Sequence, residues 1–311
     1  MFEFSLLFLV GAIGGGIFGA AIGGLPAFIF TGFAVIAGVA AAIAGADYDF
    51  LTNVAFGPVF GPHIAFAGGA AAAAYAKRAG LLENGKDILT GLTGLANPMV
   101  LAVGGAFGAL GYIIVTLLNP FLANYTDAIA LTVAISAIIA RLAFGSSGLF
   151  GSLEAQDARD RGRLVPGGDQ VWIPYQQSWL MTTVIGVGAG AISTFMFLGI
   201  YEINPDLAIP GAVLGFGISA ASLIFLQFGT TVPVTHHMSL VAAYAALVAV
   251  PIIGPTGALF VGLIGGIVGA LLGELFSRLF LIHGDTHVDP PANAIWVGAA
   301  IFFIGGLLFG G

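Results

Sequence analysis

Cysteine is absent from this chain, which excludes disulfides and thiolate metal sites. Charge is almost as scarce: 7% of the 311 residues are Asp, Glu, Lys or Arg, against about 25% in ordinary soluble domains. Only eight are basic, and the net charge of −7 argues against nucleic acid or an anionic lipid surface as the main partner. No GxxxxGK[ST] phosphate loop occurs, so any pumping would draw on an ion gradient or on a separate subunit. H-E-x-x-H and any compact Ser/His/Asp set are also missing, and no enzymatic activity is expected. No basic n-region precedes the first apolar stretch at 4–24, which is expected to remain as a first span instead of being cleaved as a signal peptide.

What is present is apolar. Hydrophobic residues make up 59% of the chain, in recurring stretches of roughly 20 residues, the length an α-helix needs to cross ~30 Å of hydrocarbon. A transmembrane β-barrel would show alternating segments with a polar inner face, and nothing here alternates. The expected fold is an all-α polytopic membrane protein with about ten spans, at 4–23, 25–45, 62–79, 88–118, 124–145, 177–201, 208–228, 235–250, 253–282 and 292–310.

Three stretches of the first half recur in order in the second. Leu25-Pro26 through Gly45 matches Ile209-Pro210 through Gly229. Gly104-Gly105-Ala106-Phe107-Gly108-Ala109-Leu110 matches Gly265-Gly266-Ile267-Val268-Gly269-Ala270-Leu271, and the segment from Asp127 to Gly145 matches that from Asn293 to Gly310. The expected organisation is a five-helix repeat over 1–145, a cytoplasmic connector over 146–177 and a second five-helix repeat over 178–311. An odd number of spans per copy inverts the second relative to the first, the usual construction of secondary transporters. The basic residues test the count. With ten spans and an outside amino terminus, Lys77, Arg78, Lys86, Arg141, Arg159, Arg161, Arg163 and Arg278 all fall on or beside the cytoplasmic side. The expected location is the plasma membrane. The polar stretch 154–163 could form a short surface helix or a plain solvated linker, and Trp172 and Trp179 are expected in an interfacial aromatic belt.

Glycine, 49 residues of it, recurs at small-xxx-small spacing in 11–19, 186–190 and 262–266, which reads as tight helix packing. Polar residues inside apolar segments are the functional candidates. Phe56-Gly57-Pro58-Val59-Phe60-Gly61-Pro62-His63 and Phe228 through His236 and His237 are Gly/Pro-interrupted stretches, each ending in histidine where a helix begins. Such paired interruptions point to a transport site, with Thr231, Thr235 and Asn97 as further candidate ligands. The alternative is that they mark loop ends, with the histidines at the water interface. Glu274, the lone acid well inside a span, stands four residues before Arg278, so an intrahelical ion pair competes with a role as proton carrier. His283, Asp285, His287 and Asp289 alternate; in an extended segment they would project to one side and could ligate a divalent metal ion, the only cofactor in view.

The expected function is a secondary transporter or channel-like carrier moving a small solute or ion between the two repeats, with a divalent metal as cargo or coupling to protons as options, in a homo-oligomer within the lipid bilayer. A non-transporting membrane subunit of a larger complex is the alternative, and an intramembrane metal-dependent enzyme a weaker one.

Overall fold

The computed structural model describes residues 4–153 and 156–309. Glu154 and Ala155, at the start of the expected surface helix, and Gly310, at the end of the third repeat match, lie outside the described residues. Helix α1 (Leu6–Ile22) is capped by Ser5 and runs directly into α2 (Gly24–Ile43). The reversal turns on Gly23 at φ 102°, a left-handed value that glycine accepts without a Cβ penalty. Two π-helical turns, Leu51–Ala55 and Pro62–Phe66, lead into α3 (Ala67–Arg78). Then come α4 (Pro98–Leu122), α5 (Ala128–Phe144), the short α6 (Gln156–Arg161), α7 (Trp179–Ile203), α8 (Ala208–Ser222) and α9 (Ile224–Gln227). The chain closes with α10 (His236–Phe276), a π-helical turn (Ser277–Leu281) and α11 (Pro290–Phe309). No strand occurs among the described residues.

Six of these helical segments are long and apolar enough to cross a membrane, and two shorter ones, α1 and α5, are also apolar. They are compatible with a multi-pass membrane protein. Large apolar side chains such as Leu180, Phe195 and Ile203 stand exposed on their outer faces, where hydrocarbon is the fitting solvent.

Two expected boundaries move. The stretch 88–97, read as the start of the fourth span, is a loop with one 3-10 turn (Leu92–Leu95). Asp87 accepts from the backbone of Leu89 and Thr90, and the helix starts only where Asn97 caps it and Pro98 fixes the first turn. The eighth and ninth expected spans join as α10, broken at Gly254 (φ 73°, ψ 174°) between Pro251 and Pro255 into arms over 236–253 and 255–276.

Helix α1 packs on α4, α7 on α10, and α2 on α8 across the centre. Glycine makes these crossings possible. Gly16 of α1 lies against Gly104 and Gly108 of α4, and Gly266 of α10 lies against Gly186 and Gly190 of α7. The GGxxGAL segments thus serve the packing role read from their spacing.

The basic residues converge on one end. Arg141, 1% exposed, donates to Thr286 Oγ1 (3.0 Å), to the carbonyls of Thr286 (2.5 Å) and Leu149 (3.1 Å), and to that of Phe280. Asp285 accepts from Ser146 N (2.7 Å) and from the Ser147 hydroxyl (2.7 Å), with Lys77 3.7 Å away. Arg163 donates to the carbonyls of Phe150 and Gly151. Arg278 donates to those of Leu164 and Gln177.

The connector is therefore more than a solvated linker. Within the expected surface helix α6 forms, with Arg161 pairing to Asp157, but Ile173 and Gln176 are buried. Gln176 brackets Val234, donating to its carbonyl and accepting from its N–H.

Candidate functional site

A cavity of about 620 Å³ lies in the core. Its walls come from both halves of the chain and are mostly apolar: Phe28, Phe56 and Phe66 from the first half, Phe216, Leu240 and Ile295 from the second. Phe28 packs edge-on against Phe66 (5.9 Å between ring centroids) and Phe216 (5.7 Å). All three π-helical turns contribute, through Leu51, Pro62, Phe66 and Leu281. Such wide turns aim side chains off the regular helical register and recur at functional sites.

Polar groups enter this lining at three levels. At one end Asp127 caps α5, accepting from Ala130 N (2.8 Å) through Oδ1 and from the Tyr244 hydroxyl (2.8 Å) through Oδ2. At the other, Lys86 and the His287–Asp289 pair (Nε2 to Oδ1, 3.1 Å) line the wall. Lys86 lies close enough to Arg141 for their charges to act on each other. Asp127 and Arg141 stand fourteen residues apart on or beside α5, roughly 21 Å of helix rise, so the lining extends over much of the core. Between these ends sits His236, 6% exposed, its ring 4.6 Å from Phe28 and 5.8 Å from Phe216, its Nδ1 without a hydrogen-bond partner.

The expected site residues are only partly brought together. His63 (2% exposed) and His237 (0%) are buried instead of sitting at the water interface, yet neither lines the cavity. The His63 carbonyl lies over Gly111 of α4, and the His237 ring lies over Gly273 of α10. Trp172, expected in an interfacial belt, faces the cavity instead, 6.0 Å from His237. Thr231 is exposed, and Thr235 lines a smaller, separate cavity beside Ser193, Ser219 and Ser239. Asn97 spends its side chain on the Met99 N–H (2.9 Å) as a helix cap. Glu274 is paired with Arg278 (2.8 Å), both at least nine-tenths buried, as the intrahelical ion-pair reading requires.

The alternating His/Asp loop does not assemble a metal site. His283 Nε2 meets the Arg163 carbonyl (3.0 Å), Asp285 turns to Ser146 and Ser147, and His287 binds Asp289, which caps α11 through Ala292 N (2.7 Å). A turn at Ile282 and His283 and a bend at Asp285 break the extended run, so His283 and Asp285 meet the connector while His287 and Asp289 pair with each other before α11. Among the described residues no group of three or more His, Cys, Asp or Glu could hold a metal ion. Asp285 is held well below the usual carboxylate range: burial pushes it up, but hydrogen bonds from Ser147 and Ser146 and the Lys77 charge outweigh it.

Over residues 1–309 the chain matches the family described as a family of unknown function, DUF7973. It belongs to that family. No curated protein and no solved structure matches the chain. The match covers both halves and the connector, so the cavity of this DUF7973 protein lies wholly within the family's extent. Sequence reasoning missed its walls. Phe28, Phe66 and Phe216 look like any other aromatic in an apolar helix, while Asp127 carries the ordinary mark of a helix cap.

Proposed function

We propose that this protein is a secondary transporter or channel-like carrier built from two inverted five-helix units over 1–145 and 178–311. The cavity of about 620 Å³ lined by both units carries the reading. Carriers place their site where the copies meet, between interrupted helices, and the π-helical turns that line the cavity are interruptions of that kind. The packing supports a repeat. The pairing of α1 with α4 has its counterpart in α7 with α10, α3 with α5 in α10 with α11, and α2 meets α8 between them. A mobile metal or proton-relay chemistry is not needed for this reading, because the walls suit an organic solute.

Ten crossings put the basic end in the cytoplasm and Asp49, Asp127 and Asp206 toward the outside. Single cysteines test this cleanly, since the chain has none. Cysteine at Asp49 should react with an impermeant maleimide only from outside, and cysteine at Arg161 only from inside. Reaction of both from the same side would end the ten-span arrangement.

The transport reading has its own measurement. Ala130 and Ala292 line the cavity from the two units, each 5% exposed. Cysteine at either position should be reached by a small charged thiol reagent from one side in intact cells and from the other in inverted vesicles. A cavity that no reagent reaches from either side would leave a packing subunit as the better account.

A further inference from the structure

We propose that the cavity binds an amphipathic organic anion, its ring-bearing or branched apolar body held among Phe28, Phe66 and Phe216 and its anionic head on Lys86. This rests on the transport reading above and names the class of solute. The volume of about 620 Å³ falls within the ~300–1,000 Å³ of pockets that enclose small organic ligands. Mostly apolar walls give water few partners, so a strongly hydrated ion or sugar would lose more hydration than the cavity returns.

The sign of the head follows from which polar groups are already occupied. Both oxygens of Asp127 are used, one by Ala130 N and one by the Tyr244 hydroxyl. Both oxygens of Asp289 are used, one by Ala292 N and one by His287. An ammonium ligand would find only the second lone pair of each oxygen, on carboxylates already committed as helix caps. Lys86 differs. Its hydrogen bond runs from the backbone N–H to Asn84 (3.0 Å), and among the described residues its ammonium has no ion pair. The bridge between Gly85 and Thr286 keeps it beside the Arg141 hub.

Around Lys86 the charges are Arg141 and Lys77, opposed by Asp285. Burial first, then Arg141 and Lys77, push its ammonium below its ordinary range, while Asp285 raises it. A bound anion would relieve that strain on the charged form. His236 supplies the second unsatisfied group. Its Nδ1 is buried without a partner between Phe28 and Phe216, where a ligand's own polar atom could pair with the ring.

The test is binding to the intact protein in lipid nanodiscs, with three probes sharing one ring: 2-naphthoate, 2-naphthylmethanol and 2-naphthylmethylammonium. Thermal shift and quenching of tryptophan fluorescence read occupancy, with empty nanodiscs subtracted. The carboxylate should bind most tightly, and Lys86→Gln should weaken it about tenfold while leaving the alcohol unchanged. Phe28→Ala should weaken all three, which places them in this cavity. Lys86 stands in a loop and is half-buried, so its variant is expected to fold. Preference for the ammonium probe, an unchanged carboxylate affinity in Lys86→Gln, or no binding by any probe would overturn the proposal. Binding is read without flux, so proteoliposomes that move no naphthoate would remove the transport reading alone.

Discussion

Replacing Gly16 by Leu is expected to prevent folding, while the same change at Gly14, two residues away on the same helix, leaves the protein intact. A Cβ on Gly16 would point at the Gly104 carbonyl oxygen and sit 3.0 Å from the Gly108 Cα, both backbone atoms of α4. Backbone cannot rotate aside as a side chain can, so α1 and α4 would have to separate. Overpacking costs about 1–3 kcal/mol where neighbours can yield, and here they cannot. In a bilayer little opposes separation, because helices are held by close packing and not by exclusion from water. Gly14 has nothing within 4 Å of a Cβ, and leucine there should gain up to about 1 kcal/mol of helix propensity. Gly266→Leu, facing the Gly190 Cα at 2.8 Å, should fail as Gly16→Leu does, and Gly188→Leu, with open space, should not. Size-exclusion profiles and melting curves of the four detergent-solubilised variants decide this. A monodisperse Gly16→Leu variant melting with the parent would mean that the seam is not close-packed.

The glycine seams were legible because their spacing needs only a helix to have meaning. Apolar runs and caps were legible for the same local reason, and Asn97 before Pro98 carried a cap signature that outweighs any ligand role. The metal loop misled because alternation implies a common direction only in an extended segment. Residues 283–289 instead hand Asp285 to Ser146 and Ser147 and His283 to Arg163, partners more than a hundred residues away that no local pattern reveals. The cavity was hidden for a related reason. Of the adjacent histidines 236 and 237, one lines it and the other packs on Gly273. Which one does so depends on how the first arm of α10 faces α2 and α8. The walls are ordinary phenylalanines drawn together from α2, the π-helical turn before α3, and α8.

Arg141→Met should destabilise the basic end far more than any surface charge change. Arg141 is buried in the last turn of α5, yet no carboxylate binds it directly among the described residues. Its guanidinium is instead the shared donor for the carbonyls of Leu149, Phe280 and Thr286 and for the Thr286 hydroxyl. It thus ties the connector, the end of α10's π-helical turn and the loop before α11 to α5. Methionine keeps much of the apolar stem and removes every donor. The two Thr286 acceptors are buried and those of Leu149 and Phe280 partly so; at about 1–3 kcal/mol for a buried acceptor left without a donor, the sum is on the order of 4 kcal/mol, or roughly 10 °C in melting temperature. Lysine should recover only part, since one ammonium cannot reproduce the planar fork that reaches several acceptors together. Lys77→Gln is the contrast. Its ion pair with Asp285 is 3.7 Å long, and the lysine is 36% exposed, a class of pair worth about 0–1 kcal/mol. Gly284 backs directly onto the guanidinium, with the space of a Cβ only 2.6 Å from its central carbon, so Gly284→Ala should reproduce part of the Arg141→Met loss without touching the arginine. Because this hub also holds the Gly85–Thr286 bridge beside Lys86, naphthoate affinity should fall together with melting temperature in Arg141→Met. A variant that melts within about 2 °C of the parent would show that the guanidinium does not hold these loops together.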